Sequence, residues 1–394
     1  MTIKAILQFK FHLYVVVGFI YILLTGCESR ERKNINRETS FEQYPVSRLA
    51  MSRLSLPAPG IDSSNKVPIK IYKDKKIFEI SIGPVDIPSQ TPHMLLPVSV
   101  TALPFDLFIK GFEWSVTDEN GKELPSKILH HFNIIDPNKR ELFYPIARRL
   151  FAAGRETPSA SLPPMIGVPM EADQPLLLIS MFQNVSDTLY ENIYFNARFT
   201  YIPGDRLIDP IEVYPFYLDV AGPIPPRDFE VPPGSSIHSD FAQPIVNGRI
   251  MGISGHLHDY GEKLMVIDTT MNKIIWQAKP IEDQDKEGYI LSMPKDKYIL
   301  PWRKRVNKGH VYRVVAQYKN HLDHPSPEMG MGAVGGIFRA SPDTNWYKPD
   351  YNDSIYIDDM VMTLGAPKVH HWRELTPDEM RSHLGIKVSD ALPK

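Results

Sequence analysis

The apolar residues of this chain come in short runs rather than in long helical stripes. From Pro68 onward, runs such as Pro68–Tyr72, Lys76–Ile82 and Phe105–Trp114 are each closed by turn residues, the last near Asp118-Glu-Asn-Gly121, which carries an Asn-Gly hairpin signal. Further strands are expected at 128–135, 175–183 and 190–201. A Pro-rich passage, Val220-Ala-Gly-Pro-Ile-Pro-Pro226 followed by Val231-Pro-Pro-Gly234, marks a seam. Beyond it, strands are expected near 246–257, 261–268, 272–278, 310–319, 330–338 and 355–363. Only the C-terminus offers a helix start, with Thr376 as N-cap and Pro377 as the first helical residue. The pattern predicts an all-β fold of two consecutive antiparallel β-sandwich, jelly-roll-like domains joined by the Pro-rich crossover. The expected boundaries are 67–208 and 209–366, followed by a C-terminal tail with a short helix over 367–394.

The first 26 residues have another character and read as a signal peptide. A basic start (Lys4, Lys10) precedes an apolar run from Phe11 to Leu24, short against the roughly 20 residues of a spanning helix. Leu24-Thr25-Gly26-Cys27 is similar to the bacterial lipobox, whose Cys is diacylated and becomes the mature N-terminus. Cys27 is the only cysteine in the chain. This implies a lipid-anchored protein of the bacterial cell envelope, since two acyl chains make a stable anchor where one does not. Glu28, where an inner-membrane retention signal would have Asp, favours the outer membrane. Residues 27–66, polar and then Pro/Ser-rich, read as a flexible tether.

Composition narrows the partners. With 394 residues and 43% of them hydrophobic, the chain can bury a large core. Its 44 Lys+Arg against 46 Asp+Glu leave a net charge of −2, so no basic surplus exists for nucleic acid. It carries neither a Gly-rich phosphate loop nor a Ser/His/Asp nucleophile pattern.

The candidate chemistry lies in the histidines. His130 and His131 are adjacent in a β-type run, and neighbours on a regular strand point to opposite faces. Both can reach one ion only at a strand end or a bulge. His256 and His258, in Gly255-His-Leu-His-Asp-Tyr-Gly261, are two apart, so on a strand they share a face. Downstream, Pro327-Glu-Met329-Gly-Met331 offers thioethers, which are usually core filling. Two imidazoles with one thioether would suit copper, because sulfur favours Cu(I) and imidazole serves both oxidation states. Asp259 is a candidate hydrogen-bond partner for a ligand imidazole or a solvent-facing residue. His321 and His324 are expected in a solvated loop, and His370 and His371 in the tail.

His-His in a first β domain, His-x-His in a second, and Glu-Met some 70 residues later resemble the type II copper, ascorbate-dependent monooxygenases. That family includes peptidylglycine α-hydroxylating monooxygenase and dopamine β-monooxygenase. The resemblance spans about residues 76–340. The wording around Gly255–Gly261 and from Trp114 to His131 is also similar to the plant stress-up-regulated nodulin-like proteins. The resemblance implies one copper per sandwich, two ions in all, facing each other across a solvent-filled cleft. It assigns His256, His258 and Met329 to the site where O2 is activated and a substrate C–H bond is hydroxylated. It assigns His130 and His131 to the electron-transfer site, with Met181 where the family has a third His. His93 is a less natural substitute.

There are departures from the family pattern. The family's Arg anchor for a peptide carboxylate falls on Ser254, and its Asn and Tyr fall on Met331 and Ala333, so a peptidylglycine substrate is not expected. The family's disulfides are absent too. The expected function is a membrane-anchored, copper-dependent monooxygenase-like oxidoreductase. It would act on a small organic substrate with O2 and an external reductant such as ascorbate. The alternatives are a non-catalytic copper protein for storage, delivery or sensing, and a double sandwich that has become a binding module.

Overall fold

In the computed structural model the short apolar runs become pleated sheet, as alternation of inward and outward side chains requires. The structure describes residues 40–54, 65–154, 157, 159–298, 304–342 and 345–385. The expected leader, Cys27 and residues 28–39 and 55–64 of the expected tether lie outside them, whereas residues 40–54 of that tether are described and hold a strand and a short helix packed on the first sandwich. Among the described residues no helix is long and apolar enough to cross a membrane.

The first sandwich comprises β1 (Glu42–Tyr44), β2 (Ile69–Tyr72), β3 (Ile77–Ile87), β4 (Thr91–Leu95), β5 (Ser99–Ala102) and β6 (Leu107–Thr117). It continues with β7 (Leu129–Arg140), β8 (Ala147–Ala153), β9 (Ser159–Ser161), β10 (Ile166–Met170), β11 (Pro175–Asn184), β12 (Tyr190–Pro203) and β13 (Ile211–Glu212). One sheet runs β1-β2-β3-β12-β6-β10-β13 with β9 on β6; the facing sheet runs β4-β11-β7-β8 with β5 on β11. Between them lie Phe78, Phe132, Phe182, Phe195 and Phe199, all fully or almost fully buried.

The second sandwich follows from β14 (Tyr214–Asp219), β15 (Gly234–Ala242), β16 (Gly248–Leu257), β17 (Gly261–Asp268) and β18 (Lys273–Ala278). Its later strands are β19 (Ile281–Glu282), β20 (Ile290–Ser292), β21 (Asp296–Lys297), β22 (Arg305–Val306), β23 (Tyr312–Asn320) and β24 (Gly332–Ala340). Its sheets run β14-β24-β16-β21, with β22 on β16, and β15-β23-β17-β18; β19 and β20 pair alone. Leu264, Trp276, Tyr312, Tyr318 and Phe338 fill its core. The fold is all-β in two antiparallel sandwiches, as the alternation predicts. Because β13 still pairs with β10, the chain leaves the first sandwich at Val213, a few residues after the expected boundary.

Among the described residues three α-helices, besides short 3-10 turns, complete the fold: α1 (Arg48–Ser52), α2 (Ser354–Gly365) and α3 (Pro377–Leu384). The last begins as expected, with a reciprocal capping box between Thr376 and Glu379 and Pro377 in the first turn. Residues 355–363, expected as a strand, are instead helix α2. Asp353 caps it, accepting from Ile355 N at 2.9 Å, and an apolar run alone does not distinguish a buried strand from a buried helix. Helix α2 packs back onto the first sandwich. Tyr356, Met360 and Leu364 cover Val98, Val100, Ile135 and Leu177, and Tyr356 donates to the Pro137 carbonyl at 2.6 Å. The described residues from Phe41 onward form one compact unit.

Candidate metal centre

Strand β7 delivers the first His pair through a break in its pairing with β11. Met181 is opposite His131, but Phe182 is opposite Leu129, so His130 is an extra residue on β7. This is a β-bulge, the feature that adjacent imidazoles need in order to face the same way. Their ring centroids are 4.2 Å apart. Strand β16 delivers the second pair by simple alternation: His256 lies on the strand opposite Ala333, and His258 follows its end, with centroids 4.8 Å apart.

The two pairs meet. Centroid distances across the two sandwiches are 5.7 Å for His130–His258, 5.1 Å for His131–His256 and 5.6 Å for His131–His258. The ligating nitrogens of His130, His131 and His258 lie within 4.8 Å of one another. The separate, solvent-divided sites that the resemblance implies are thus not the arrangement here; the four imidazoles form one cluster. A fifth ring, His93 on β4, stands 4.8 Å from His130. Sequence reasoning discounted His93. What brings it there is long-range pairing that the order of residues does not signal: β4 and β7 both pair with β11, on its two edges, at Met181.

Burial keeps these rings neutral. Desolvation first, and then the neighbouring imidazoles, push the His130 pKa down to about 2 and that of His131 well below the usual range. His93 is lowered as well, chiefly by burial. Neutral imidazole is the form that binds metal, so His93, His130 and His131 need to lose no proton to do so.

The orientation of His258 is fixed. Its Nδ1 is 2.6 Å from the Met329 carbonyl oxygen, which only accepts, so Nδ1 carries the hydrogen and Nε2 offers its lone pair. Glu328 Oε1 is 3.9 Å from the same nitrogen. The buried Tyr318 hydroxyl accepts from the backbone N–H groups of His258 (3.3 Å) and Met331 (3.0 Å), and donates to the Met331 carbonyl, tying the loop to the strand end. Asp259 accepts from Ile290 N at 3.0 Å and so braces the 288–290 loop.

The sulfur positions differ from expectation. Met329 is 38% exposed and does not line the cavity beside the imidazoles, whereas Met181 and Met331 do. Directly opposed residues of an antiparallel pair share a face, which sets Met181 beside His131. His321, His324, His370 and His371 are exposed and outside the cluster.

A cavity of about 230 Å³ opens next to the rings, lined by His130, His131, His256 and His258. Leu95, Ile179, Met181, Ala333 and Trp372 give it an apolar wall, and Arg149, Arg227 and Arg373 a polar one. Ala366, Trp372 and Arg373 come from the segment after α2, so residues expected to lie at the edge of the second sandwich and in the tail form part of the cavity wall.

No protein-family model matches the chain, and no curated protein matches it. Among solved structures it is similar to the major capsid protein P2 of bacteriophage PM2, at 10% identity and a TM-score of 0.32, covering 66% of this chain and 99% of that one. It is also similar to a chain in the atomic structure of Sulfolobus turreted icosahedral virus, at 11% identity and a TM-score of 0.33, covering 78% and 99%. A third is VP2 of infectious bursal disease virus, at 9% identity and 0.23, covering 76% and 78%. At scores this low the likeness bears on neither the chemistry of the site nor its partners.

Proposed function

We propose that the chain is a copper-dependent oxidoreductase of the monooxygenase-like kind, with one copper centre shared by its two sandwiches. His130 and His131 from the first and His258 from the second would hold the ion, with His256, His93 and the thioethers of Met181 and Met331 beside it. The donor set fits: neutral imidazoles flanked by soft sulfur suit copper in both oxidation states. Copper held there would supply one-electron redox chemistry with O2, and an external reductant such as ascorbate would restore it.

The observation that carries the catalytic reading over storage or delivery is the cavity. A storage site has no use for an organic-sized space against its ligands, whereas an enzyme needs one. Within it, the chain's own residues have plain tasks. The Met329 carbonyl holds the His258 tautomer, the bulge at His130 aims two rings at one point, and the apolar wall excludes water from a bound substrate. The lipobox-like Leu24–Cys27 motif further supports a lipid-anchored location in the bacterial envelope, with the outer membrane favoured.

Copper loading of the full chain, followed by mass spectrometry, tests the centre. One copper per chain is expected, and His131→Ala and His258→Ala, on different sandwiches, should each remove it entirely. Two coppers per chain, with each variant losing only one, would replace the shared centre by two separate sites. No copper at all would remove the metal reading and with it the enzyme.

A further inference from the structure

The guanidinium groups that line the cavity beside the imidazoles are already matched. Arg149 Nη1 donates to the fully buried Asp359 and to the Ala147 carbonyl, each at 2.9 Å. Arg227 Nη2 reaches Asp359 at 3.1 Å and also donates to the Pro223 carbonyl, with the buried Asp219 a further carboxylate close by. Arg373 Nε donates to Asp228 at 2.7 Å. These three cations therefore face three carboxylates, and the wall holds no unmatched charge for an ion to pair with. An ion entering it would give up hydration and gain no counter-charge, which disfavours ions of either sign.

One polar group of the lining stands apart. Asn133 is half-buried, and its side chain makes no hydrogen bond among the described residues. Its place follows from the strand. Beyond the bulge β7 alternates, so Phe132 and Ile134 enter the first core while His131, Asn133 and Ile135 face the other way. Across the sheet these three stand opposite Met181, Ile179 and Leu177. Helix α2 covers the row of Ile135 and Leu177, and the row of His131 belongs to the imidazole cluster. The row between them, Asn133 with Ile179, is cavity floor. Two residues along a strand span about 7 Å, so a group held at Asn133 sets atoms a few bonds away beside His131.

A carboxamide carries no charge and offers an acceptor oxygen and two donor hydrogens, so its best complement is another neutral group that both accepts and donates. The volume sets a size. A cavity of roughly 150 Å³ holds benzene, so about 230 Å³ admits a single ring with a small polar group.

We propose that this cavity takes uncharged organic molecules of about one-ring size, anchored by hydrogen bonds to the Asn133 carboxamide, with carboxamides the best-matched class. The inference deepens the proposed function by naming the substrate class, and as a statement about substrate it rests on that reading. The anchor lies on the first sandwich. The position of the family's Arg anchor, Ser254, instead donates to the Pro294 carbonyl at 3.0 Å.

Benzamide, benzoate and benzamidine share a shape and are neutral, anionic and cationic in turn at pH 7. Calorimetric titration of the metal-free full chain with each tests the proposal, and omitting the metal keeps benzoate from binding through copper. Benzamide should bind at least about tenfold more tightly than either ion, because the ions alone lose hydration without gaining a counter-charge. Asn133→Leu, close in size, should weaken benzamide about tenfold, the order expected for two neutral hydrogen bonds. Asn133→Asp, of equal size, should make benzamidine the tightest of the three, and covers the case where the first variant does not fold. An ion that binds the unaltered chain as well as benzamide does, no binding of benzamide, or a benzamide affinity that survives both substitutions would overturn the proposal. Copper content, measured on the same preparations after loading, separates the two readings. A chain that holds copper but does not favour benzamide keeps the centre and loses the substrate class. One that favours benzamide but takes no copper keeps a neutral pocket and loses the centre.

Discussion

At the scale of single residues, the charged groups sealed inside the first sandwich give a measurable pH signature. Glu141, fully buried between β7 and β8, accepts from Arg149 N at 2.6 Å and Leu142 N at 3.3 Å, yet burial still pushes its pKa up to about 7. A carboxyl whose folded pKa is raised binds more protons in the native state than in the unfolded one. Stability therefore falls as pH rises from the unfolded value of about 4.5 to about 7, and is flat on either side. Glu141→Gln should cost stability at every pH, because one acceptor is lost, but the deficit relative to wild type should shrink between pH 4.5 and 7. Urea unfolding at three pH values reads this; a deficit that widens with pH would contradict it. The histidines show what residue-level reading can and cannot reach. The shared face of His256 and His258 follows from spacing alone. For His130 and His131 the requirement of a bulge was legible, but not its presence, which depends on how β11 pairs. His93 was discounted because sequence order does not reveal that β4 lies on the other edge of β11.

At the scale of elements, β16 is packed tightly at Gly255, just before His256. A Cβ on Gly255 would stand 2.4 Å from Leu264 Cδ2, 3.2 Å from Trp276 and 3.3 Å from Met293, all buried in the second core. Gly255→Ala should thus overpack that core and cost about 1–3 kcal/mol in urea unfolding. It should also weaken copper binding, since His256 and His258 move with the strand; unchanged stability and copper affinity would show that the core yields freely. Most strands were legible because their apolar runs end in Pro, Gly or Asn. Helix α2 was not. Its Ile-Tyr-Ile and Met-Val-Met triplets read equally as a strand, and the decision rests on a capping Asp353 and on two acids, Asp358 and Asp359, whose partners Arg381 and Arg149 are far along the chain.

At the scale of the whole molecule, two sandwiches could be foreseen from alternation and the Pro-rich seam, because both are local properties of the chain. The meeting of the His pairs could not, because it depends on which strand ends the two sandwiches turn toward each other. The address of the molecule is a separate matter and is tested separately. Cys27→Ser should move the protein from the membrane fraction to the soluble fraction of a bacterial host, with loss of the acyl mass; retention in the membrane with no change of mass would remove the lipid anchor. One further consequence follows from α2 folding back onto the first sandwich. The surface formed by Val98, Val100, Ile135 and Leu177 is covered in part by the early residues Val46, Met51 and Leu54 and is completed only by α2. The wall beside the imidazole cluster is thus completed by residues more than a hundred positions beyond the last of its four histidines, Trp372 and Arg373 among them, so the cluster and its cavity come together only when both sandwiches and the segment after α2 are in place.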